Sequence, residues 1–392
     1  MRTSFFLLLS LVLATNVTAP ELPLADRNDY TPPSPETLCA VEDFDAFIEE
    51  AIQNGYAPGA AVAIVENGKV LLEKGYGLRS VRDGQPVDAH TIFRLASLSK
   101  SFAAFMTGRL VEKKILDWED PVVQYLPDFC LQSDEQTEQL QIAHLLSHTT
   151  GLPYHTYTNM IELGRTTEEI IPLLANVEII GKPGKVYSYQ NSIFSVIGEV
   201  AKKATGLEYE ANLKKEVFGP LRMTDASASL EGFLHHGNAA MPHKVVRSGV
   251  WRQVSPSPHY YNAAPAGGVN ASAADMGEYL LAMLGNRPDV LSAETLKKLG
   301  TPYVYTPVRW RYFNNWKGLK KAYYGLGWRV LDMGNGETIL YHGGFVNGYR
   351  AEIAVHPKEG WGICVMFNGA ASMADQCIPK FLELKKKKKE IL

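Results

Sequence analysis

The chain has 392 residues, 46% of them hydrophobic and 21% charged, with a formal net charge of −3. That length supplies a core for one or two lobes, and the near-neutral balance gives no electrostatic reason to expect nucleic acid as a partner. Its four cysteines include no Cys-x-x-Cys pair and none at metal-ligand spacing from a histidine, so neither a metal nor a cofactor is expected.

The first element in chain order is a targeting segment. Arg2 precedes an apolar run from Phe5 to Ala14, too short to span a bilayer, and Val17-Thr18-Ala19 offers small residues for cleavage. Residues 1–25 are read as signal peptide and leader, and the protein as exported, periplasmic or secreted. Val41, Phe44, Phe47, Ile48 and Ile52 then recur at helical spacing, stopped by Gly55. Two strand-like runs, 61–65 and 70–77, flank Asn67-Gly68, which predicts a hairpin. A helical pattern runs from Ser97 to Glu112. Residues 137–290 read as helical segments, with irregular stretches around 152–160 and 234–266. Strands return at 325–332, 337–341, 349–355 and 361–367, and a helix closes near 372–384.

This order predicts an α+β fold. Residues 40–115 and 295–384 would form an antiparallel sheet flanked by helices, and 116–294 a mostly helical lobe, with a cleft between them. Residues 385–392, with lysines at 385–389, read as a solvated basic tail, at most weakly drawn to an anionic membrane surface. Export permits disulfides, and Cys39 in the first helix would bridge Cys377 in the last if those helices pack together. Cys364, in an apolar strand, reads as a core residue.

Ser97-Leu98-Ser99-Lys100 carries the first chemical signal. Residues three apart share a helix face, so Lys100 lies beside the Ser97 hydroxyl, and a deprotonated amine there would activate it. Phe93, Leu95, Phe102, Phe105 and Met106 surround the pair with apolar side chains, and burial lowers a lysine pKa. Neither Ser99 nor Ser101 has a lysine three residues on. Two more motifs follow: Tyr189-Gln190-Asn191, and His342-Gly343-Gly344-Phe345 at a strand. Each alone has an ordinary structural reading: Tyr189 as a core aromatic, His342 as a strand residue with Gly343-Gly344 a bulge.

Together and in this order the motifs resemble the serine β-lactamase and penicillin-binding-protein superfamily, its class C β-lactamase-like branch in particular. Leu145-Leu146-Ser147-His148-Thr149-Thr150-Gly151-Leu152-Pro153 resembles a Leu-Leu-x-His-Thr-x-Gly-Leu segment of that family, and Ala266-Gly267-Gly268 its loop leading into a helix. The resemblance implies a β-lactamase/transpeptidase-like fold and an acyl-enzyme on Ser97. Lys100 and Tyr189 would share the proton transfers, and Asn191 would orient the substrate amide and Lys100. Residues His342, Gly343, Gly344 and Phe345 would line the substrate, and the N–H groups of Ser97 and Phe345 would form an oxyanion hole. The implied partner is a small-molecule or peptide substrate, a β-lactam or a peptide ending in D-alanine. A carboxylic esterase of the same fold and a penicillin-binding sensor with little turnover are the alternatives. Two positions depart from the family pattern. His342 stands where class C enzymes carry a lysine and would offer only part of a positive charge. Gln190 stands where Ser or Ala is more typical.

Overall fold

The computed structural model describes residues 32–307, 313–334 and 336–391. The signal-peptide reading of 1–25 lies outside them. Twelve strands are present among the described residues: β1 Gly59–Glu66, β2 Lys69–Gly77, β3 Phe93–Arg94, β4 His243–Arg247, β5 Val250–Gln253, β6 Asn270–Ala271, β7 Val304–Thr306, β8 Lys321–Tyr324, β9 Arg329–Gly334, β10 Glu337–Val346, β11 Tyr349–His356 and β12 Trp361–Phe367. Eight of them form one antiparallel sheet in the order β2-β1-β12-β11-β10-β9-β8-β7. The Asn67-Gly68 turn has both residues at positive φ, 50° and 77°, as a two-residue hairpin requires.

Each face of the sheet buries a separate core. On the outer face the helices Pro35–Gln53 and Ala374–Ile391 pack on one another and on Val62, Ile64, Ile363 and Val365. Phe381 meets Phe44 at 5.6 Å and Trp361 at 5.5 Å between ring centroids. Ser34 caps the first helix by accepting from Thr37 N–H. On the inner face Ala61, Ala63, Ile353 and Cys364 pack against the helical half of the molecule, including the helix Ser99–Glu112. That helix joins the sheet to the helical lobe.

Several expectations need correction. All four cysteines are free thiols. The helices carrying Cys39 and Cys377 do pack together, but one turn after Cys39 Asp43 pairs with Lys388 at 2.9 Å, about three turns beyond Cys377, whose thiol is buried and donates to Met373 O. The basic tail is not a loose one: the last helix continues to Ile391, and Lys385 turns inward to Glu66 at 3.1 Å. The strand expected over 325–332 begins only at Arg329, and a separate strand, β8, ends before it at Tyr324. Between them Gly327, at φ +74°, backs so closely on the helix Ser99–Glu112 that a Cβ would sit 2.5 Å from Lys100 O. Within the stretch expected to be irregular, β4 and β5 form a hairpin turned at Gly249, φ +70°. The register of β10 on β11 runs unbroken from Leu340 to Val346, so Gly343-Gly344 is no bulge.

Candidate active site

Ser97 sits where a strand is forced into a helix. β3 pairs with β6, Leu95 N–H donates to Val269 O, and Ala96 then adopts a left-handed φ of 50° before a short 3₁₀ turn at Ala96–Leu98. A left-handed Ala is strained, and such strain persists only where neighbours hold it. Ser99 does so: its hydroxyl donates to Ala96 O at 2.6 Å and accepts from Val269 N–H at 2.9 Å. Arg94, buried beneath, donates to Ser257 O and His259 O and fixes the loop that brings Tyr260 to the site.

Lys100 is fully buried. Its Nζ lies 2.8 Å from Asn191 Oδ1, 2.8 Å from Ala266 O and 3.4 Å from Ser97 Oγ, and faces the Tyr189 ring at 4.8 Å. Burial, reinforced by the Arg329 charge, holds its pKa well below the usual lysine value. A neutral amine has two N–H donors and one lone pair. The two short contacts take the donors, which leaves the lone pair toward the Ser97 hydroxyl. From the other side Tyr189 Oη donates to Ser97 Oγ at 3.0 Å. The predicted trio thus converges on one oxygen.

His148 clamps the segment that carries Tyr189. Its carbonyl accepts from Ser188 N–H at 2.8 Å, its Nδ1 accepts from Gln190 N–H at 3.3 Å, and its ring lies 4.3 Å from the Tyr189 ring. Burial above all holds this imidazole well below its usual pKa. Asn191 precedes the helix Ser192–Thr205, which fixes its carboxamide between Lys100 and Tyr260.

β10 forms the opposite wall. A Cβ on Gly344 would lie 2.5 Å from Leu95 O and 3.1 Å from Ser97 N, so only glycine lets the strand pass this close to the nucleophile turn. Gly343 and Phe345 line the same cavity, of about 330 Å³. His342 lines it too, but the partial charge expected of it is absent. Burial, then the Arg329 charge, hold the imidazole well below its usual pKa, and its nitrogens contact Tyr324 Oη at 3.0 Å and Gly343 O at 2.9 Å. One cation on that side is Arg329, 5.7 Å from the Tyr189 ring; Arg350 also lines the cavity and pairs with Glu352 at 2.8 Å. Sequence reading missed Arg329, although a lone charge in the apolar run Gly325-Leu326-Gly327-Trp328-Arg329-Val330 was a usable signal. It also missed the Ala266 carbonyl and the pocket-lining Tyr154 and His155, which leave no local pattern.

The profile of the Beta-lactamase family matches residues 44–385. The chain belongs to this family. Its members are generally serine hydrolases. An octameric penicillin-binding protein homologue from Pyrococcus abyssi superposes with a TM-score of 0.76 at 26% identity, covering 88% of this chain and 77% of that one. Protein flp of Staphylococcus aureus (strain MRSA252) is 25% identical over 351 residues, 87% of this chain and 65% of its own length. Unguisins hydrolase ungD' of Aspergillus campestris is 25% identical over 336 residues, 83% of this chain and 61% of its own. The chain therefore spans less than two thirds of these two curated relatives. Within the Beta-lactamase family frame, the unusual Gln190 has a visible task. Its buried carboxamide accepts from Thr150 Oγ1 at 2.9 Å and donates to Leu152 O at 2.6 Å and Pro153 O at 2.9 Å.

Proposed function

We propose that the protein is a serine hydrolase that forms an acyl-enzyme on Ser97 and cleaves amide bonds of β-lactams or of peptides ending in D-alanine. The observation that carries this reading is the fully buried Lys100 amine, held by two carbonyl oxygens beside the Ser97 hydroxyl. Ser97 Oγ attacks the carbonyl carbon as its proton passes to the Lys100–Tyr189 pair. The N–H groups of Ser97 and Phe345 receive the developing oxyanion, a stabilisation of roughly 3 kcal/mol per donor in such sites. Tyr189 then protonates the leaving nitrogen, and the same pair activates water for deacylation. Asn191 supports amide substrates, because its carboxamide stands where a substrate amide would be oriented. Arg329 supports a carboxylate on the leaving side, a task the neutral His342 leaves to it.

The missing charge at His342 also favours a second reading, a carboxylic esterase of the same fold that acts on uncharged acyl esters. Intact-mass spectrometry after exposure to a penicillin, a D-Ala-D-Ala peptide and p-nitrophenyl acetate separates the two. Adducts from the first two support the amide reading, and an adduct from the ester alone supports the esterase. Ser97→Ala should abolish every adduct; labelling that survives it would refute the nucleophile.

A further inference from the structure

The loop 152–157 is bolted to the catalytic segment. His155 N–H donates to Tyr189 O at 3.0 Å, Gln190 holds the Leu152 and Pro153 carbonyls, and Ser192 Oγ donates to Thr156 O at 2.5 Å. Tyr189, Gln190 and Ser192 thus each hold the loop. The loop carries two strained left-handed residues, His155 at φ 58° and Tyr157 at φ 51°. What this framework presents is a pair of rings. Tyr154, 54% exposed, and His155, also exposed, stack edge to face at 4.1 Å and line the cavity, 6.5 and 6.0 Å from the Tyr189 ring. A large ring held rigidly at a cavity mouth offers apolar area to a molecule bound there.

We propose that Tyr154 and His155 form a leaving-group subsite that selects peptides whose leaving residue is a carboxyl-terminal aromatic or large aliphatic amino acid, and that Gln190 is its positioning residue. The inference rests on the acyl-enzyme reading above. When the Ser97 Oγ–carbon bond forms and the scissile carbon–nitrogen bond breaks, the proton leaving Ser97 ends on the departing nitrogen through Tyr189. The departing residue therefore lies on the Tyr189 side, against these rings. Arg329 lines the same side and disfavours a cationic residue there, while it favours the terminal carboxylate.

The test compares two peptides with the same N-acyl-D-Ala half, one ending in D-Phe and one in D-Ala. Both give the same acyl-enzyme, so kcat/KM differs only through the step in which the leaving residue is held. The D-Phe peptide should be favoured about tenfold or more. Tyr154→Ala should bring the ratio close to one, Tyr154→Phe should keep it, and Gln190→Ala should reduce it. Equal kcat/KM for the two peptides in the unmodified protein, or an unchanged ratio in Tyr154→Ala, overturns the subsite while leaving the hydrolase reading intact. Absence of both hydrolysis and an acyl-Ser97 adduct with either peptide overturns both.

Discussion

At the scale of single residues, the site keeps an amine and two imidazoles uncharged by burying them. Lys100 has the most direct consequence. Its lone pair is available only after the ammonium loses its proton, so acylation should fall as pH drops through its depressed pKa. The acid limb of the acylation rate should therefore lie well below the ordinary lysine value near 10.5. A limb at the ordinary value, or none, would place the base elsewhere. Lys100→Ala should cut acylation by about 10³-fold, by analogy with general-base loss, and leave the far-UV spectrum unchanged. His148 acts one step removed, through Tyr189 and Gln190. His148→Phe keeps a ring against Tyr189 but removes the acceptor for the buried Gln190 N–H. It should cost about 1–3 kcal/mol in urea denaturation. A structural role alone predicts only that loss; the clamp predicts a drop in kcat with KM little changed.

At the scale of elements, one contact decides whether the pieces of the site meet, and a second starts a buried helix. Gly344 sets how near β10 comes to the nucleophile turn. Gly344→Ala would place a methyl 2.5 Å from Leu95 O, and neither backbone can yield without moving Ser97 or the strand. Acylation should fall about 100-fold, the order expected of a misplacement near 1 Å, while the protein still folds. The second contact starts the helix Ala273–Met283, where Ser272 Oγ accepts from Asp275 N–H and Asp275 Oδ2 accepts from Ser272 N–H, both at 3.1 Å. Burial raises the Asp275 carboxyl from 3.8 to about 7. The folded state then holds this proton more tightly than the unfolded chain. The resulting stabilisation is complete below about pH 4, declines as pH rises, and is gone above about 7. Thermal melts should show the unmodified protein losing stability relative to Asp275→Asn across that window; a difference independent of pH would mean that the carboxyl is ionised throughout.

At the scale of the whole molecule, what was legible in the sequence was what repeats locally. Apolar strand-like runs, the Asn67-Gly68 turn and the three motifs each fit within a few residues, and their order carried the fold and the converging trio. The rest depends on contacts between distant positions. Gln190 meets Leu152 and Pro153 38 and 37 residues away, and Lys385 meets Glu66 319 residues away, so neither left a periodic trace. The lysine run misled for that reason: composition alone reads as solvated, yet one register of the last helix turns Lys385 into the outer core. There Glu66 also accepts from Thr37 Oγ1 at 2.5 Å and Ser34 N–H at 2.7 Å, with both charged side chains nearly covered. This pair ties the last helix, the first helix and β1 together. Removing one partner strands the other charge, so Lys385→Met should cost about 3–5 kcal/mol in urea denaturation. Replacing both, as Glu66→Leu with Lys385→Met, removes the stranded charge and should recover much of that loss. A single variant as stable as the parent would mean that the last helix lifts from the sheet in solution and that the lysine reaches water.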